Sequence, residues 1–316
     1  MAAADTTTGE TDMAKVLALL ASGRTKGFTA GLLHSAMAGA ESVTGVEVEF
    51  VHLHKYEIKP CASCFNCIRS EDHSCAQRDG MGKEGELMAK VKQANGWILA
   101  DPVHFWGPSA QCHLFIERCY PFIWSGEMAG MPFASISCAS NQGMQRLATA
   151  EICKWVFAFG MRYVGGLPVH TTYLKRAMGE AEQLGRQLAE AAIVDEEGRE
   201  EYPEEERYVD YVDHPFSVVE PYLDNLTNGT MEYDSSLIAE GLVNFERREA
   251  VDLLQQAREP FERALQLYRE GKQEAACHQL VRASALWTHA TWTEFLEQDV
   301  IKSGVPDAYR PMEEGA

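Results

Sequence analysis

The sequence lacks the features that would place it in a membrane, in the secretory pathway or on nucleic acid. No run of about 18 uncharged apolar residues is present, and residues 1–13 are small, polar and acidic rather than basic and then apolar. Basic residues are scarce, since 28 Lys and Arg stand against 47 Asp and Glu and give a formal charge of −19. A phosphate backbone requires a basic surface, so a nucleic-acid partner is not expected. We therefore expect a cytoplasmic protein without a membrane span.

The acidic charge is concentrated in one part of the chain. Residues 195–232 hold thirteen Asp or Glu against two arginines, together with three prolines. Such a composition is typical of a solvated linker, and an ordered arm that wraps a neighbour is the alternative. We predict four regions along the chain: a disordered tail (1–13), a sheet domain (14–194), an acidic linker or arm (195–234) and a helical extension (235–316).

The extension has the pattern of paired helices. Residues 257–286 predict two amphipathic helices joined at Gly271, which is similar to one tetratricopeptide hairpin. One hairpin cannot bury its own apolar face, so we expect it to pack on the sheet domain or on another subunit. Trp287 and Trp292, on the following turns, are expected to be packing anchors rather than cofactor contacts.

The sheet domain alternates apolar runs with stretches of helical periodicity. The runs predict five strands, at residues 15–22, 46–53, 96–103, 132–139 and 161–169. Helical spacing falls between and after them, at residues 29–40, 85–94, 109–120, 144–159 and 174–192. This alternation predicts an α/β fold with a doubly wound parallel sheet, whose ligands bind beyond the carboxyl ends of the strands. The loops after strands one, three and four are therefore the candidate sites.

The first of these loops, residues 22–29, has the composition of a phosphate cradle. It offers hydroxyls, small residues and two cations directly before a predicted helix, with Thr29 as the expected N-cap. Backbone N–H groups and the helix dipole favour an anion at such a position. The loop matches neither G-x-x-x-x-G-K-[ST] nor G-x-G-x-x-G, which disfavours nucleoside triphosphates and the usual dinucleotide fingerprint. An ordinary turn is the alternative.

The loops after strands three and four suit a flat ring. Residues 101–109 place His104, Phe105 and Trp106 at the mouth of the crevice, where they could stack on a heteroaromatic ligand. The alternative is that these aromatic residues cap the core. Residues 137–143 add small and polar groups beside them.

Four cysteines follow the second strand with the spacing C-x2-C-x2-C-x7-C, at Cys61, Cys64, Cys67 and Cys75. Thiolates packed this closely can surround a compact metal centre, and an iron–sulfur cluster is the favoured interpretation. Zinc is the weaker option because its sites usually join two separated C-x2-C pairs. Free thiols that cover a sheet edge are the alternative without metal.

The cysteine count agrees with a reducing compartment. The chain has nine cysteines, an odd number, and no predicted secretory signal. The five outside the motif fall in apolar helix or strand patterns, and we expect them in the core: Cys112, Cys119, Cys138, Cys153 and Cys277.

Taken together, these segments resemble the flavodoxin-like NAD(P)H-dependent FMN reductases and, within them, the iron–sulfur flavoprotein group. The first loop is similar to G-S-P-R-x-x-G-N-T and differs at Ala21, Gly23 and Phe28. The third-strand loop is similar to S-P-V-Y-F-G-x-x-S-A-Q and differs at Asp101, His104 and Trp106. The cysteine loop, residues 59–82, resembles a K-P-C-x-x-C-x-x-C segment followed by an acidic D-x-M turn at Asp79 and Met81. The resemblance covers residues 15–192.

The resemblance implies bound FMN and, at the four cysteines, a 4Fe-4S cluster. It places the FMN phosphate on the first loop, at Ser22, Arg24, Gly27 and Thr29. It places the flavin ring between the other two loops, at Pro102, Val103, His104, Phe105, Trp106, Gly107, Ser137, Asn141 and Gly143. Phe28 replaces an amide that would help hold the phosphate, and Asp101 introduces a carboxylate that would oppose an anionic reduced ring.

The implied activity is that of an oxidoreductase. NAD(P)H, or alternatively reduced ferredoxin, would supply electrons to FMN, and a quinone, flavin, oxygen or protein would accept them. No catalytic acid or base is required, and His104 is the one candidate for a catalytic role. A homodimer or homotetramer is expected, because in relatives a neighbour covers the FMN edge. The alternative is an electron-transfer or redox-sensing module without turnover that acts through its helical extension.

Overall fold

The computed structural model describes residues 13–141, 143–200, 202–203 and 219–295, without the side chain of residue 295. The predicted tail, much of the acidic segment and the chain beyond residue 295 lie outside these residues. The division into four regions therefore stays a prediction.

Five parallel strands form one sheet in the order β2-β1-β3-β4-β5. The strands are β1 (Ala14–Leu20), β2 (Val46–His52), β3 (Gly96–Pro102), β4 (Pro132–Ala139) and β5 (Arg162–His170). This strand order defines a flavodoxin-like doubly wound sheet, in which the connections diverge between β1 and β3. The α/β class with five parallel strands is confirmed.

The central strands are apolar along their whole length because helices cover both of their faces. Every residue of β4 and all but the last of β3 are buried. The edge strand β2 instead leaves five of its seven residues partly or fully exposed. Strand position in the sheet thus follows from the apolar content of each run.

Seven helices belong to the sheet domain: α1 (Phe28–Glu41), α2 (Asn66–Arg69), α3 (Glu86–Lys92), α4 (Ala110–Arg118), α5 (Pro121–Ser125), α6 (Gln145–Ala158) and α7 (Leu174–Gly198). Helices α1 and α7 bury their apolar residues on one face of the sheet, and α3, α4 and α6 cover the other. The expectation that Thr29 caps α1 is wrong. The N-cap is Gly27, whose backbone is extended, and the helix begins at Phe28. Thr29 lies buried in the first turn.

The C-terminal helices form a core of their own. They are α8 (Val219–Leu226), α9 (Leu237–Asn244), α10 (Arg248–Arg269) and α11 (Gln273–Phe295). Helices α10 and α11 are joined at Gly271, whose φ of +74° suits glycine, as the sequence predicts. Helix α10 begins before the predicted segment, residues 257–286, and α11 ends after it. In the part of the chain that the structure describes, no helix combines the length and apolarity needed to cross a bilayer.

Two glycines let α1 and α7 approach at backbone distance. A Cβ on Gly185 would lie 1.8 Å from the Ala36 carbonyl oxygen, and one on Gly39 would lie 1.9 Å from the Glu182 carbonyl oxygen. The two contacts are reciprocal, since each helix presents a glycine to a carbonyl of the other. No side chain fits at either position without separating the helices.

We expect Gly185→Ala to destabilise the protein by about 3 kcal/mol or more, because the added methyl group must push two backbones apart. The matched control is Gly179→Ala in the same helix, where a Cβ would meet nothing within 4 Å. This control is expected to stabilise the helix by about 0.5–1 kcal/mol. Urea unfolding of both variants measures the difference, and equal stabilities would contradict the proposed close approach.

Candidate flavin site and cysteine cavity

The loop between β1 and α1 lies at the carboxyl end of the sheet, where β1 and β3 are neighbours. The N–H of Ala21 donates to the Ala100 carbonyl at 2.9 Å, which keeps the loop against β3. Ser22 is buried, and its Oγ accepts a hydrogen bond from the Arg24 N–H at 3.2 Å. A phosphate bound by this loop would therefore lie at the point where ligands of this fold bind.

Two histidines at the carboxyl end of β2 contact this loop. His52 is the last residue of β2, and His54 comes two residues later. His52 Nε2 lies 2.8 Å from the Ser22 carbonyl oxygen, and His54 Nε2 lies 3.2 Å from the Ala21 carbonyl oxygen. Because a carbonyl only accepts, the geometry assigns the proton of each ring to Nε2. These histidines are structural, as their alternation at an apolar strand indicates, but no sequence pattern shows that they contact the loop after β1.

The aromatic residues of the third-strand loop stand out into solvent on a tight turn. His104 and Gly107 exchange backbone hydrogen bonds of 2.9 and 3.1 Å, so the two residues between them form a hairpin turn. Phe105 and Trp106 adopt φ of +48° and +69°, which bulky residues rarely do. Phe105 is fully exposed and Trp106 is 59% exposed. The alternative that they cap the core is therefore wrong.

The fourth loop contributes one unsatisfied polar group. Ser137, on β4 next to β3, is fully buried, and its hydroxyl has no hydrogen-bond partner among the residues that the structure describes. Asn141 is exposed with φ of +63°, and its carbonyl accepts from His170 Nε2 at 3.1 Å. Gly143 has φ of +88°. The buried hydroxyl and the bare backbone fit a polar ring edge such as that of a flavin.

Asp101 does not extend toward a ligand. It is fully buried and accepts hydrogen bonds from the Ser109 N–H and, at 2.5 Å, from the Ser109 hydroxyl, at the N-cap of α4. Burial raises the pKa of Asp101 to about 7, and the hydrogen bonds from Ser109 act in the opposite direction. The carboxyl thus anchors the start of α4.

The four cysteines line one cavity of about 510 Å³. Cys61, Cys67 and Cys75 are half-buried, and Cys64 is exposed. The remaining walls come from α4, α5 and α6, which contribute His113, Tyr120 and Trp155 among others. The sequence-predicted cysteines therefore face a common space.

Burial raises the pKa of the Cys67 thiol to about 11, and the thiols of Cys75 and Cys61 act in the same direction. Without a cation the Cys67 thiol is thus held in its neutral form. A bound metal would have to displace its proton. Within residues 13–141, 143–200, 202–203 and 219–295, no three His, Cys, Asp or Glu side chains converge closely enough to hold a single metal ion.

A buried ion pair connects the cysteine loop to α4. The side chains of Arg118 and Asp79 are 1% and 0% exposed, and both guanidinium nitrogens reach the carboxylate. Arg118 also donates to the Lys59 carbonyl at 2.7 Å and to the Cys75 sulfur at 3.2 Å. Asp79 in turn accepts from the N–H groups of Lys59 and Met81. One guanidinium therefore holds both ends of the loop and one of its sulfurs.

Sequence reasoning missed Arg118 because a cation in the last turn of a helix is ordinary. The only available signal was the run Ile116-Glu117-Arg118 that accompanies the third-strand motif. Glu117 has a related role, since its carboxylate accepts a hydrogen bond from the Cys61 N–H at 3.1 Å. Helix α4 thus contacts the loop at its first and last cysteines.

The strand order defines a flavodoxin-like fold, and the loop after β1 and the exposed aromatic turn lie at the edge of the sheet where ligands of this fold bind. The sequence model of NADPH-dependent FMN reductases matches residues 14–172, half of the chain. The chain belongs to this family and, within it, to the iron–sulfur flavoprotein group. It is accordingly an NAD(P)H-dependent FMN oxidoreductase.

Two archaeal relatives illustrate the similarity. The chain is 30% identical over 182 residues to an iron–sulfur flavoprotein of Archaeoglobus fulgidus, covering 56% of this chain and 80% of that protein. It is 29% identical over 168 residues to one of Methanocaldococcus jannaschii, covering 53% and 84% respectively. Among solved structures, a flavone reductase superposes with a TM-score of 0.44 at 19% identity, over 60% of this chain and 66% of that one.

We expect the ionisation of Asp101 to lower the free energy of unfolding as pH rises from about 4 to 7. The folded protein retains a proton that the unfolded chain loses near its ordinary pKa of 3.8, so the native state is progressively disfavoured up to about 7. The free energy of unfolding lost over this pH range through Asp101 is roughly 4 kcal/mol. Asp101→Asn keeps an acceptor for the Ser109 N–H and should remove this slope.

Urea unfolding of wild type and Asp101→Asn at several pH values measures the difference. The contrasting control is Asp79→Asn. Burial acts to raise the pKa of Asp79, but hydrogen bonds from Arg118 and two backbone N–H groups outweigh it and lower the pKa. Asp79 therefore stabilises the fold at neutral pH and loses this effect in acid. Parallel pH profiles for wild type and Asp101→Asn would refute the assignment.

We expect Arg118→Met to cost about 3–5 kcal/mol at neutral pH, because it leaves the Asp79 carboxylate buried without its counter-ion. The matched control is Arg69→Met in the cysteine loop, since Arg69 is exposed at the end of α2. Its effect should stay within about 0.5 kcal/mol. Thermal and denaturant unfolding of the metal-free protein compare the two variants, and similar losses would contradict a special role for Arg118.

Proposed function

We propose that the chain takes electrons from NAD(P)H at FMN and passes them through a 4Fe-4S cluster to a quinone, flavin, oxygen or protein acceptor, with reduced ferredoxin as an alternative donor. The cluster ligands in this proposal are Cys61, Cys64, Cys67 and Cys75. The observation that carries it is the single cavity that all four cysteines line, with Arg118 donating to one of the sulfurs.

The donor set fits a cluster better than a single ion. Each thiolate of a four-iron cluster binds a different iron, so the four sulfurs surround a volume rather than converge on a point. A cavity of about 510 Å³ lined by four thiols has this character. Two sulfurs of the loop already have supporting donors, since the Ser63 N–H donates to Cys61 and the buried guanidinium of Arg118 donates to Cys75.

The FMN site fits in the same sense. Ser22, Gly27 and the N-terminus of α1 would hold the phosphate, and the buried hydroxyl of Ser137 would bind the polar edge of the ring. Phe105 and Trp106 would cover the ring face. His104 stays a candidate beside them. When bound, FMN accepts a hydride and can release electrons singly, whereas a cluster carries one electron at a time.

Helix α4 connects the two proposed sites. Its N-cap, Ser109, is held by Asp101 at the flavin end of the sheet, and its last residue, Arg118, touches Cys75. Nine residues of helix rise about 14 Å. The protein thus separates the proposed redox centres by one short, rigid element.

The exposed apolar side chains at the flavin edge support a homodimer or homotetramer. Phe28, Phe105, Trp106, Met144, Leu147 and Tyr173 are each at least 41% exposed, and all lie in or beside the loops at the carboxyl end of the sheet. Apolar side chains exposed together at one edge of a domain often mark a surface that meets a partner. A second copy of the chain would cover it together with the FMN.

Anaerobic purification followed by iron, sulfide and flavin assays tests the proposal. We expect FMN bands that NADPH or NADH bleaches, and about four iron per chain. Cys67→Ser should lose more than half of the iron while it keeps the FMN. Cys153→Ala is the control, because Cys153 is buried in α6 outside the cavity.

Iron-free wild type, or undiminished iron in Cys67→Ser, would contradict the cluster and leave an FMN reductase with a structural cysteine loop. Failure of both nucleotides to bleach the flavin would contradict the proposed donor and favour reduced ferredoxin.

A further inference from the structure

One side chain of the C-terminal helices reaches the sheet domain beside the cysteine loop. Trp292 of α11 is 9% exposed and packs edge-on against Trp124 of α5, with ring centroids 4.9 Å apart and an interplanar angle of 69°. Ile68 of α2 completes this small buried cluster. Since α2 lies between Cys64 and Ser70, the cluster includes the cysteine loop itself.

The cluster stands directly behind one wall of the cysteine cavity. Four partly buried residues pack against it, and every one of them also lines the cavity: Phe65, Cys67, Tyr120 and Ile123. Trp292 is therefore in the layer that supports the wall on which Cys67 lies. It comes from a part of the chain beyond residue 172, where the match to the reductase family ends.

A second contact places the same helices along α6. Lys154 and Phe157 of α6 share a cavity of about 230 Å³ with residues of α8 and α11, including Tyr222 and Cys277. The neighbouring α6 residues Trp155 and Ala158, and the C-cap residue Phe159, line the cysteine cavity. The C-terminal helices thus border the cysteine site at two separate places.

We propose that the C-terminal helices support the wall of the cysteine site from outside, with Trp292 as the positioning residue that keeps the Cys67 side of the cavity closed to water. The link to an iron–sulfur cluster rests on the proposed function, whereas the wall itself is a property of the metal-free chain. A tryptophan ring excludes water over a large area, and its edge-on partner fixes its orientation. Without it, Phe65 and Cys67 lose the layer that holds them.

Thiol alkylation of the metal-free, full-length protein tests the wall. In Trp292→Ala we expect Cys67 to react about tenfold faster with iodoacetamide, which corresponds to a loss of about 1.4 kcal/mol in the opening equilibrium. The exposed Cys64 serves as an internal reference and should change less than about twofold. The buried Cys277 of α11 reports whether the helices stay folded. Trp292→Phe retains an aromatic ring and should restore most of the protection.

Unchanged Cys67 reactivity with Cys277 still protected would overturn the proposal. If Cys277 becomes reactive in Trp292→Ala, the helices have unfolded, and Trp124→Ala decides instead because it removes the other ring from the sheet-domain side. Faster Cys67 alkylation in that variant supports the wall, and wild-type reactivity overturns it.

Reconstitution with iron and sulfide separates this inference from the proposed function. If wild type binds iron, Trp292→Ala should lose it to a chelator about tenfold faster, from the same initial content. Equal release rates and equal thiol reactivity would overturn the wall and leave the cluster in place. Wild type without iron would contradict the proposed function, while the alkylation rates still decide the wall.

Discussion

The guanidinium of Arg118 and the carboxylate of Asp79 lie between α4 and the cysteine loop, where neither reaches water. The cysteine loop, residues 59–82, contains just one short helix, so local helix propensity does little to define its path. A buried pair of this kind is costly to desolvate, and its geometry is tolerated only where further hydrogen bonds complete it. Here Lys59, Met81 and Cys75 supply them. This one pair fixes both ends of the loop that carries the four thiols and contacts the sulfur of Cys75.

The same helix that carries Arg118 begins at the opposite functional end of the domain. Its N-cap, Ser109, is bound by Asp101 at the end of β3, which is the strand that borders the proposed flavin site. Because α4 is one short helix, a shift of its first turn would therefore also move its last turn. The topology of a parallel sheet gathers ligand-binding loops at one edge. In this chain α4 begins at that edge and ends at the cysteine loop.

The sheet was predictable because β3 and β4 are buried on both faces and must be apolar throughout. The site loops were predictable from their position after these strands and from the resemblance that their motifs carry. Asp101 was harder, since the sequence does not reveal that Ser109 folds back onto it and keeps it from the flavin.

The packing of Trp292 on Trp124 could not be predicted from the sequence. The two residues are far apart along the chain, and each reads as an ordinary packing residue of its own helix. Arg118 is a similar case, because its partner Asp79 lies in a loop whose path only the folded protein defines. Long-range partners of this type follow from tertiary packing rather than from local pattern.

The aromatic turn between His104 and Gly107 has a thermodynamic consequence. Two-residue hairpin turns with positive φ at both positions favour Asn and Gly, and bulky residues there cost about 1–3 kcal/mol each. Phe105 and Trp106 hold such a conformation while exposing their rings, so burial within the subunit returns little of that energy. The turn is therefore strained when nothing covers the two rings. A molecule that stacked on them would offset this strain by burying their surface.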